Sequence, residues 1–324
     1  MQDQFERNIE YLRISITDRC NLRCSYCMPE TGVTWLSHGE ILSYEEILRV
    51  IRIATTLGFA KFRITGGEPL VRKGIVPFLE QVSSVPGVKD LTLTTNGILL
   101  GGMADAIKLA GVNRVNISLD TLKPEKFHEI TRGGNLQAVL DGIHKSLEAG
   151  LEPVKINMVV MKGFNDAELE DFVRLAENYP LHVRFIELMP VGASDQNRAG
   201  LITVDQMKAR LGIGNLVPVR EFQGAGPAQH FTGGGLKGSI GFISAISQHF
   251  CSQCNRIRLT ADGMLKPCLH SRTDFDLRSL LRGGASEEEI KQAMQNVVYE
   301  KPSRHNMTLE GWEGRTRVMS QIGG

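Results

Sequence analysis

The sequence predicts an α/β chain: an incomplete (β/α)6 barrel followed by a smaller α+β region. Three observations carry this. Short apolar runs alternate with amphipathic stretches six times between residues 11 and about 188, the rhythm of a parallel sheet with helices outside it. Polar and charged residues sit within or at the ends of successive runs (Arg13, Arg63, Thr94, Ser118, Lys155, Glu187). A doubly wound sheet fits the count equally, but sites assembled from many strand ends are typical of barrels. Beyond residue 188 the rhythm gives way to short, glycine-rich segments.

The six strands are expected at 11–17, 61–65, 91–95, 114–120, 154–160 and 182–188, each rich in β-branched residues and bounded by turn signals. The clearest helix opens with a capping box, Ser43-Tyr-Glu-Glu46, and stops at Gly58. Further helical stretches cover roughly 74–84, 103–110, 136–149 and 166–178. Residues 190–200 read as a loop, and 204–211 as a short helix capped by Thr203. Thr260-Ala-Asp-Gly263 is a hairpin signal, followed by helices near 274–281 and 286–299. The division expected is a barrel over residues 1–225 and a cluster- and substrate-binding domain over 226–324.

Composition bounds the function. The 324 residues carry 37 basic and 36 acidic side chains, a net charge of +1. That balance argues against a protein that coats nucleic acid or anionic membrane. No stretch reaches the length of a transmembrane helix, and residues 1–10 lack the apolar core of a signal peptide. The expectation is a cytoplasmic protein with neither nucleic acid nor membrane as partner. Thiols stay reduced there, so disulfides explain the six cysteines poorly. They fall into two groups of three, Cys20, Cys24, Cys27 and Cys251, Cys254, Cys268, which points to metal or cluster binding.

The first group is C-x3-C-x2-C, directly after the first strand. Three thiolates this close hold three corners of a cubane [4Fe–4S] cluster and leave its fourth iron without a protein ligand. A structural zinc wants four ligands, and the closest histidine, His38, is separated by a loop. Thr65-Gly-Gly-Glu-Pro69 follows the second strand. Its glycines let the backbone approach a ligand closely, and Glu68 offers a carboxylate to an ammonium group. The second group is C-x2-C-x13-C. Here a zinc site completed by His270 and a second open cluster both fit the residues.

Arg256 and Arg258 alternate beside the second group, and Arg13, Arg63 and Lys155 alternate with apolar residues on barrel strands. Interior cations are costly unless they meet an anion. Together the five describe a pocket for a polyphosphate, whose oxygens suit guanidinium forks. No Walker A loop exists, and the one G-x-G-x-x-G, residues 233–238, precedes a strand-like run and reads as a loop.

The three-cysteine loop after the first strand, with Gly-Gly-Glu-Pro after the second, resembles the radical S-adenosylmethionine superfamily. The fold implied is a TIM-like partial barrel of the radical SAM type. The cofactors implied are a [4Fe–4S] cluster on Cys20, Cys24 and Cys27 and S-adenosylmethionine, contacted by Tyr26, Gly67, Ser118 and Met189. In that superfamily one electron cleaves the sulfonium to a 5′-deoxyadenosyl radical.

Longer runs narrow the resemblance. They are Asp18-Arg-Cys-Asn-Leu-Arg-Cys-Ser-Tyr-Cys-Met-Pro29, Lys61-Phe-Arg-Ile-Thr-Gly-Gly-Glu-Pro-Leu70, Thr94-Thr-Asn-Gly97, Arg114-Val-Asn-Ile-Ser-Leu-Asp120, Val154-Lys-Ile-Asn157, Glu187-Leu-Met-Pro190, Phe250-Cys-Ser-Gln-Cys-Asn-Arg-Ile-Arg-Leu259 and the terminal Gly323-Gly324. They resemble the GTP-cyclising family that opens molybdenum cofactor biosynthesis. This implies a lyase with a second [4Fe–4S] cluster on Cys251, Cys254 and Cys268, whose open iron takes the guanine. GTP contacts implied are Arg13, Arg63, Thr94, Lys155, Arg256 and Arg258. Arg13, Gly323 and Gly324 are implied in catalysis, with the tail threading into the pocket; Arg315 and Arg317 are separate candidates to anchor or line it, on no spacing argument. The radical would take hydrogen from ribose C3′, the carbon radical would attack guanine C8, and the product would be (8S)-3′,8-cyclo-7,8-dihydro-GTP. Partners implied are a flavodoxin- or ferredoxin-like electron donor, cyclic pyranopterin monophosphate synthase as recipient of the product, and a second copy in a homodimer. Two rivals are a peptide-modifying radical enzyme and a zinc-stabilised binding module. The five cations and the single compact extra triad favour a nucleotide.

Overall fold

The computed structural model describes residues 1–189, 200–219, 226–271, 273–307 and 317–323. Six strands, β1 (Tyr11–Ser15), β2 (Lys61–Thr65), β3 (Asp90–Thr95), β4 (Arg114–Ser118), β5 (Lys155–Val160) and β6 (His182–Glu187), pair in parallel in chain order. Helices α1 (Tyr44–Thr56), α2 (Ile75–Ser83), α3 (Ala104–Leu109), α4 (Pro124–Thr131), α5 (Leu136–Glu148) and α6 (Leu169–Asn178) connect them. α1 begins where expected. Ser43 Oγ accepts the Glu46 N–H at 3.2 Å, and Glu46 Oε2 accepts the Ser43 N–H at 2.7 Å. Its apolar stripe, Ile47, Leu48, Val50, Ile51, Ile53 and Ala54, is buried. α4 lies outside the expected elements: it is short, with only Phe127, Ile130 and Thr131 buried, so its periodic signal is weak.

The remainder is α7 (Val204–Leu211), β7 (Val217–Pro218), β8 (Gln229–Thr232), β9 (Ser239–Ile243), β10 (Arg256–Leu259), β11 (Met264–Lys266), β12 (Phe275–Asp276), α8 (Leu277–Arg282), α9 (Glu287–Tyr299) and α10 (Met319–Ile322). These strands complete the barrel sheet at both edges. β10 joins β1 in parallel and β9 joins β6 in parallel, while β11 and β12 on one side and β8 and β7 on the other continue antiparallel. The helix expected near 274–281 starts later, because Asp276 caps it by accepting the Ser279 N–H at 3.0 Å. The hairpin turn forms as expected, with Gly263 at φ 81° and its N–H on the Thr260 carbonyl at 2.9 Å. Of the expected loop over 190–200, all but Gly200 lies outside the described residues, as does the expected domain boundary at 225.

Register decides what the barrel presents inward. Arg13 is level with Arg63 on β2 and with Arg258 on β10. Residues level on neighbouring strands share a face, so three arginines stand in one row. Among the described residues, no helix is long and apolar enough to cross a membrane.

Candidate active site

Both cysteine triads line one cavity of about 290 Å³. The first sits in the loop after β1. The Cys27 and Met28 N–H groups both donate to the Cys24 carbonyl, at 2.9 and 3.0 Å, making a single tight turn. Two strands of contact hold it from outside. Arg23 and Ser25 N–H donate to the carbonyls of Thr131 and Ile130 at the end of α4, and Arg132 Nη1 donates to the carbonyls of Arg23 and Met28. Burial raises the Cys20 thiol to about 11 and the Cys27 thiol to about 12, and pushes Cys24 up as well. A bound cluster would supply the positive charge that lets these thiols ionise.

The second triad differs. Burial alone would raise Cys254, but Arg256 and Lys301 outweigh it and hold this thiol at about 6. Among the described residues, His249, Cys251 and His305 bring one ligand atom each within 4.8 Å of one another, a set that takes one cysteine of the second triad and neither Cys254 nor Cys268.

The Gly-Gly-Glu-Pro segment is welded to the cysteine loop. Gly67 N–H donates to the Thr17 carbonyl at 2.7 Å and Glu68 N–H to the Arg19 carbonyl at 2.8 Å. A Cβ on Gly67 would stand 2.4 Å from the Arg19 carbonyl oxygen, so only glycine fits. Glu68 departs from its expected role. Its fully buried carboxylate accepts from Leu70 N–H (3.0 Å), Thr95 Oγ1 (2.9 Å) and Asn96 N–H (2.7 Å), bracing the ends of β2 and β3 instead of facing the cavity. Burial raises it to about 7.

Of the other expected contacts, Tyr26, Gly67, Ser118, Met189, Arg13, Arg63, Thr94, Arg256 and Arg258 all line the cavity. Tyr26 Oη donates to Asp120 Oδ2 at 2.8 Å, and Asp120 Oδ1 accepts the Val159 N–H at 2.8 Å. Lys155 lies beneath the cavity wall, buried beside Arg184, which with burial lowers it to about 6. Gly323 reaches the site through its carbonyl, which accepts from Arg13 and Arg258. Gly324 and Arg315 lie outside the described residues.

Residues outside the expected contacts also line the cavity. Arg184 on β6 lines the cavity, and so does Asn157 on β5. Arg184 follows the alternation that marks Arg13, between Val183 and Phe185, and that signal was available. The wall holds five arginines, while Asp120 is the sole acid among the described lining residues. Burial and mutual repulsion lower Arg258 to about 10, Arg184 to about 9 and Arg13 well below its usual range. Arg63 Nε, Arg184 Nε, Thr94 Oγ1 and Asn157 Oδ1 are buried without a hydrogen-bond partner. Orphaned groups around a cationic cavity fit a polyanionic ligand.

Comparison with known proteins agrees. The profile of the radical SAM superfamily matches residues 14–176, and that of the molybdenum cofactor synthesis C domain matches 181–307. The chain is 53% identical to a GTP 3′,8-cyclase of Heliobacterium modesticaldum and 53% identical to one of Pelotomaculum thermopropionicum, covering all of both chains in each case. Its fold is similar to that of Streptococcus suis SuiB bound to S-adenosylmethionine, with a TM-score of 0.60 at 16% identity, covering 91% of this chain and 66% of that one. The chain belongs to the GTP 3′,8-cyclase family of radical SAM enzymes, with a [4Fe–4S] cluster at each cysteine triad.

Proposed function

We propose that this chain binds GTP between its two cysteine triads and converts it to (8S)-3′,8-cyclo-7,8-dihydro-GTP, the opening step of molybdenum cofactor biosynthesis. The observation that carries this is the arginine-rich wall joining the triads, with one acid among its described residues. When bound, the first cluster and S-adenosylmethionine supply a 5′-deoxyadenosyl radical, and the second cluster supplies an open iron for the guanine.

The chain's own residues do the rest. Cys20, Cys24 and Cys27 hold the first cluster, and the Gly66–Gly67 backbone, Tyr26, Ser118 and Met189 surround S-adenosylmethionine. The row Arg258–Arg13–Arg63, with Arg184 and Arg256, takes the triphosphate, and Thr94 adds a hydroxyl. An anion there relieves the repulsion among packed guanidinium groups. Lys155 supports this set from below. Arg13 and Arg258 orient Gly323 against the reacting nucleotide.

The same reading has the protein working in the cytoplasm, receiving electrons from a flavodoxin- or ferredoxin-like donor. It passes its product to cyclic pyranopterin monophosphate synthase and pairs as a homodimer. Family membership supports these partners.

An anaerobic assay with GTP deuterated at C3′ tests the reaction. Deuterium in the recovered 5′-deoxyadenosine, together with cyclised product, is expected. 5′-Deoxyadenosine free of deuterium would overturn the assignment.

A further inference from the structure

Arg317 is gripped by two carboxylates. Its Nη1 and Nη2 donate to Oδ1 and Oδ2 of Asp262 at 3.0 and 2.9 Å, and its Nε lies 3.9 Å from Asp274 Oδ2. Asp262 is itself fixed, because Thr260 Oγ1 donates to its Oδ1 at 2.5 Å inside the β10–β11 turn. Asp274 also pairs with Lys266, whose side chain is buried in β11. The grip therefore belongs to the hairpin that carries Arg256 and Arg258.

The segment beyond Arg317 crosses the site. Met319 and Ser320 line the cavity, Ser320 and Ile322 are buried, and the Ser320 N–H is hydrogen-bonded to the Cys27 thiol. At its far end the Gly323 carbonyl accepts from Arg258 at 3.1 Å and from Arg13 at 3.2 Å. α10 between the two grips is four residues long, too short to hold its own conformation. Its placement depends on what fixes its ends. A two-pronged guanidinium–carboxylate contact sets orientation as well as distance.

We propose that Asp262 and Arg317, backed by Asp274, form a latch that seats residues 317–323 in the cavity and brings Gly323 to Arg13 and Arg258. Arg317 is a positioning residue that acts through the tail. This rests on the reading that the Gly323–Gly324 tail takes part in the site.

The test uses full-length, anaerobically reconstituted enzyme in four forms: unaltered, Arg317→Ala, Arg317→Lys, and a deletion of Gly323–Gly324. Iron content, kcat, the KM values for GTP and S-adenosylmethionine, and amide exchange over 318–323 are measured on each. Arg317→Ala is expected to lower kcat at least tenfold and speed exchange over 318–323. Iron and the KM for S-adenosylmethionine stay unchanged. Arg317→Lys recovers only part, since one ammonium replaces the fork. Unaltered kcat and exchange in Arg317→Ala, with turnover abolished by the deletion, overturn the latch and leave the tail reading standing. Unaltered turnover in the deletion overturns the tail reading and the latch with it. Iron lost together with turnover in Arg317→Ala overturns the positioning role in favour of a structural one.

Discussion

Arg13 and Arg258, level with one another on β1 and β10, both donate to the carbonyl oxygen of Gly323, at 3.2 and 3.1 Å. Two like charges placed side by side share one acceptor, and a single backbone oxygen partly offsets their repulsion. Gly323 can stand there only as glycine. Its φ is 78°, and a Cβ would meet Ser15 Cβ at 3.1 Å and Thr65 Cγ2 at 3.2 Å. Gly323→Ala is expected to lower kcat about tenfold or more, from misplacement at the reacting centre, with iron content unchanged. Steady-state turnover and iron analysis check this, and a fully active variant would reject it.

Arg184 is expected to carry substrate affinity. Loss of a charged hydrogen bond costs about 1.5–3 kcal/mol, or roughly 10- to 100-fold in binding. Arg184→Ala should raise the KM for GTP by that factor while the affinity for S-adenosylmethionine holds. Equal weakening of both ligands would show that Arg184 supports the barrel and not the nucleotide.

Gly67→Ala drives a methyl into the Arg19 carbonyl, 2.4 Å away. The Gly-Gly-Glu-Pro segment must then leave the cysteine loop. Binding of S-adenosylmethionine, measured by equilibrium dialysis, is expected to fall at least tenfold. Binding within twofold of the unaltered protein counts against the close-approach reading.

Two open clusters predict about eight irons and about eight sulfides per chain. Cys268→Ala should leave about four of each, because the first triad lies on a loop of its own after β1. Loss of all the iron would mean the two sites assemble as one.

His182 and His230 share the Ser239 hydroxyl, at 2.8 and 3.0 Å. Burial, then the nearby Lys155 and Arg184, lowers them to about 4 and about 3. Between pH 6.5 and 4 the unfolded chain takes up protons that the folded chain refuses. Their contribution is complete above pH 6.5 and shrinks as pH falls toward 4. Urea midpoints should therefore drop from pH 7.5 to pH 5, and drop less in a His182→Gln/His230→Gln double variant. Identical pH profiles for the two proteins would rule this out.

Much of the site was legible because its signals are local. C-x3-C-x2-C closes within one turn, and Gly67 marks a close approach that any glycine pair suggests. The alternating Arg256 and Arg258 share a face by strand geometry alone. Glu68 was misread because its environment is not local. Three donors, Leu70 N–H two residues on and Thr95 Oγ1 and Asn96 N–H at the end of β3, enclose a carboxylate that the motif alone leaves open. α4 was missed because an eight-residue helix with three buried residues barely registers as periodic.

The sequence by itself determined the chemistry: two sets of three thiols, each one short of saturating a cubane, set on a repeating strand–helix chain. Those properties depend on residue type and short spacing. Only the tertiary structure decided that β9 and β10 flank the six barrel strands, that Arg63, Arg13 and Arg258 form one row, that Arg184 joins them, and that Asp262 grips Arg317. Each of these joins segments far apart in the chain. Register and burial there follow from the packing free energy of the whole sheet, which no local stretch encodes.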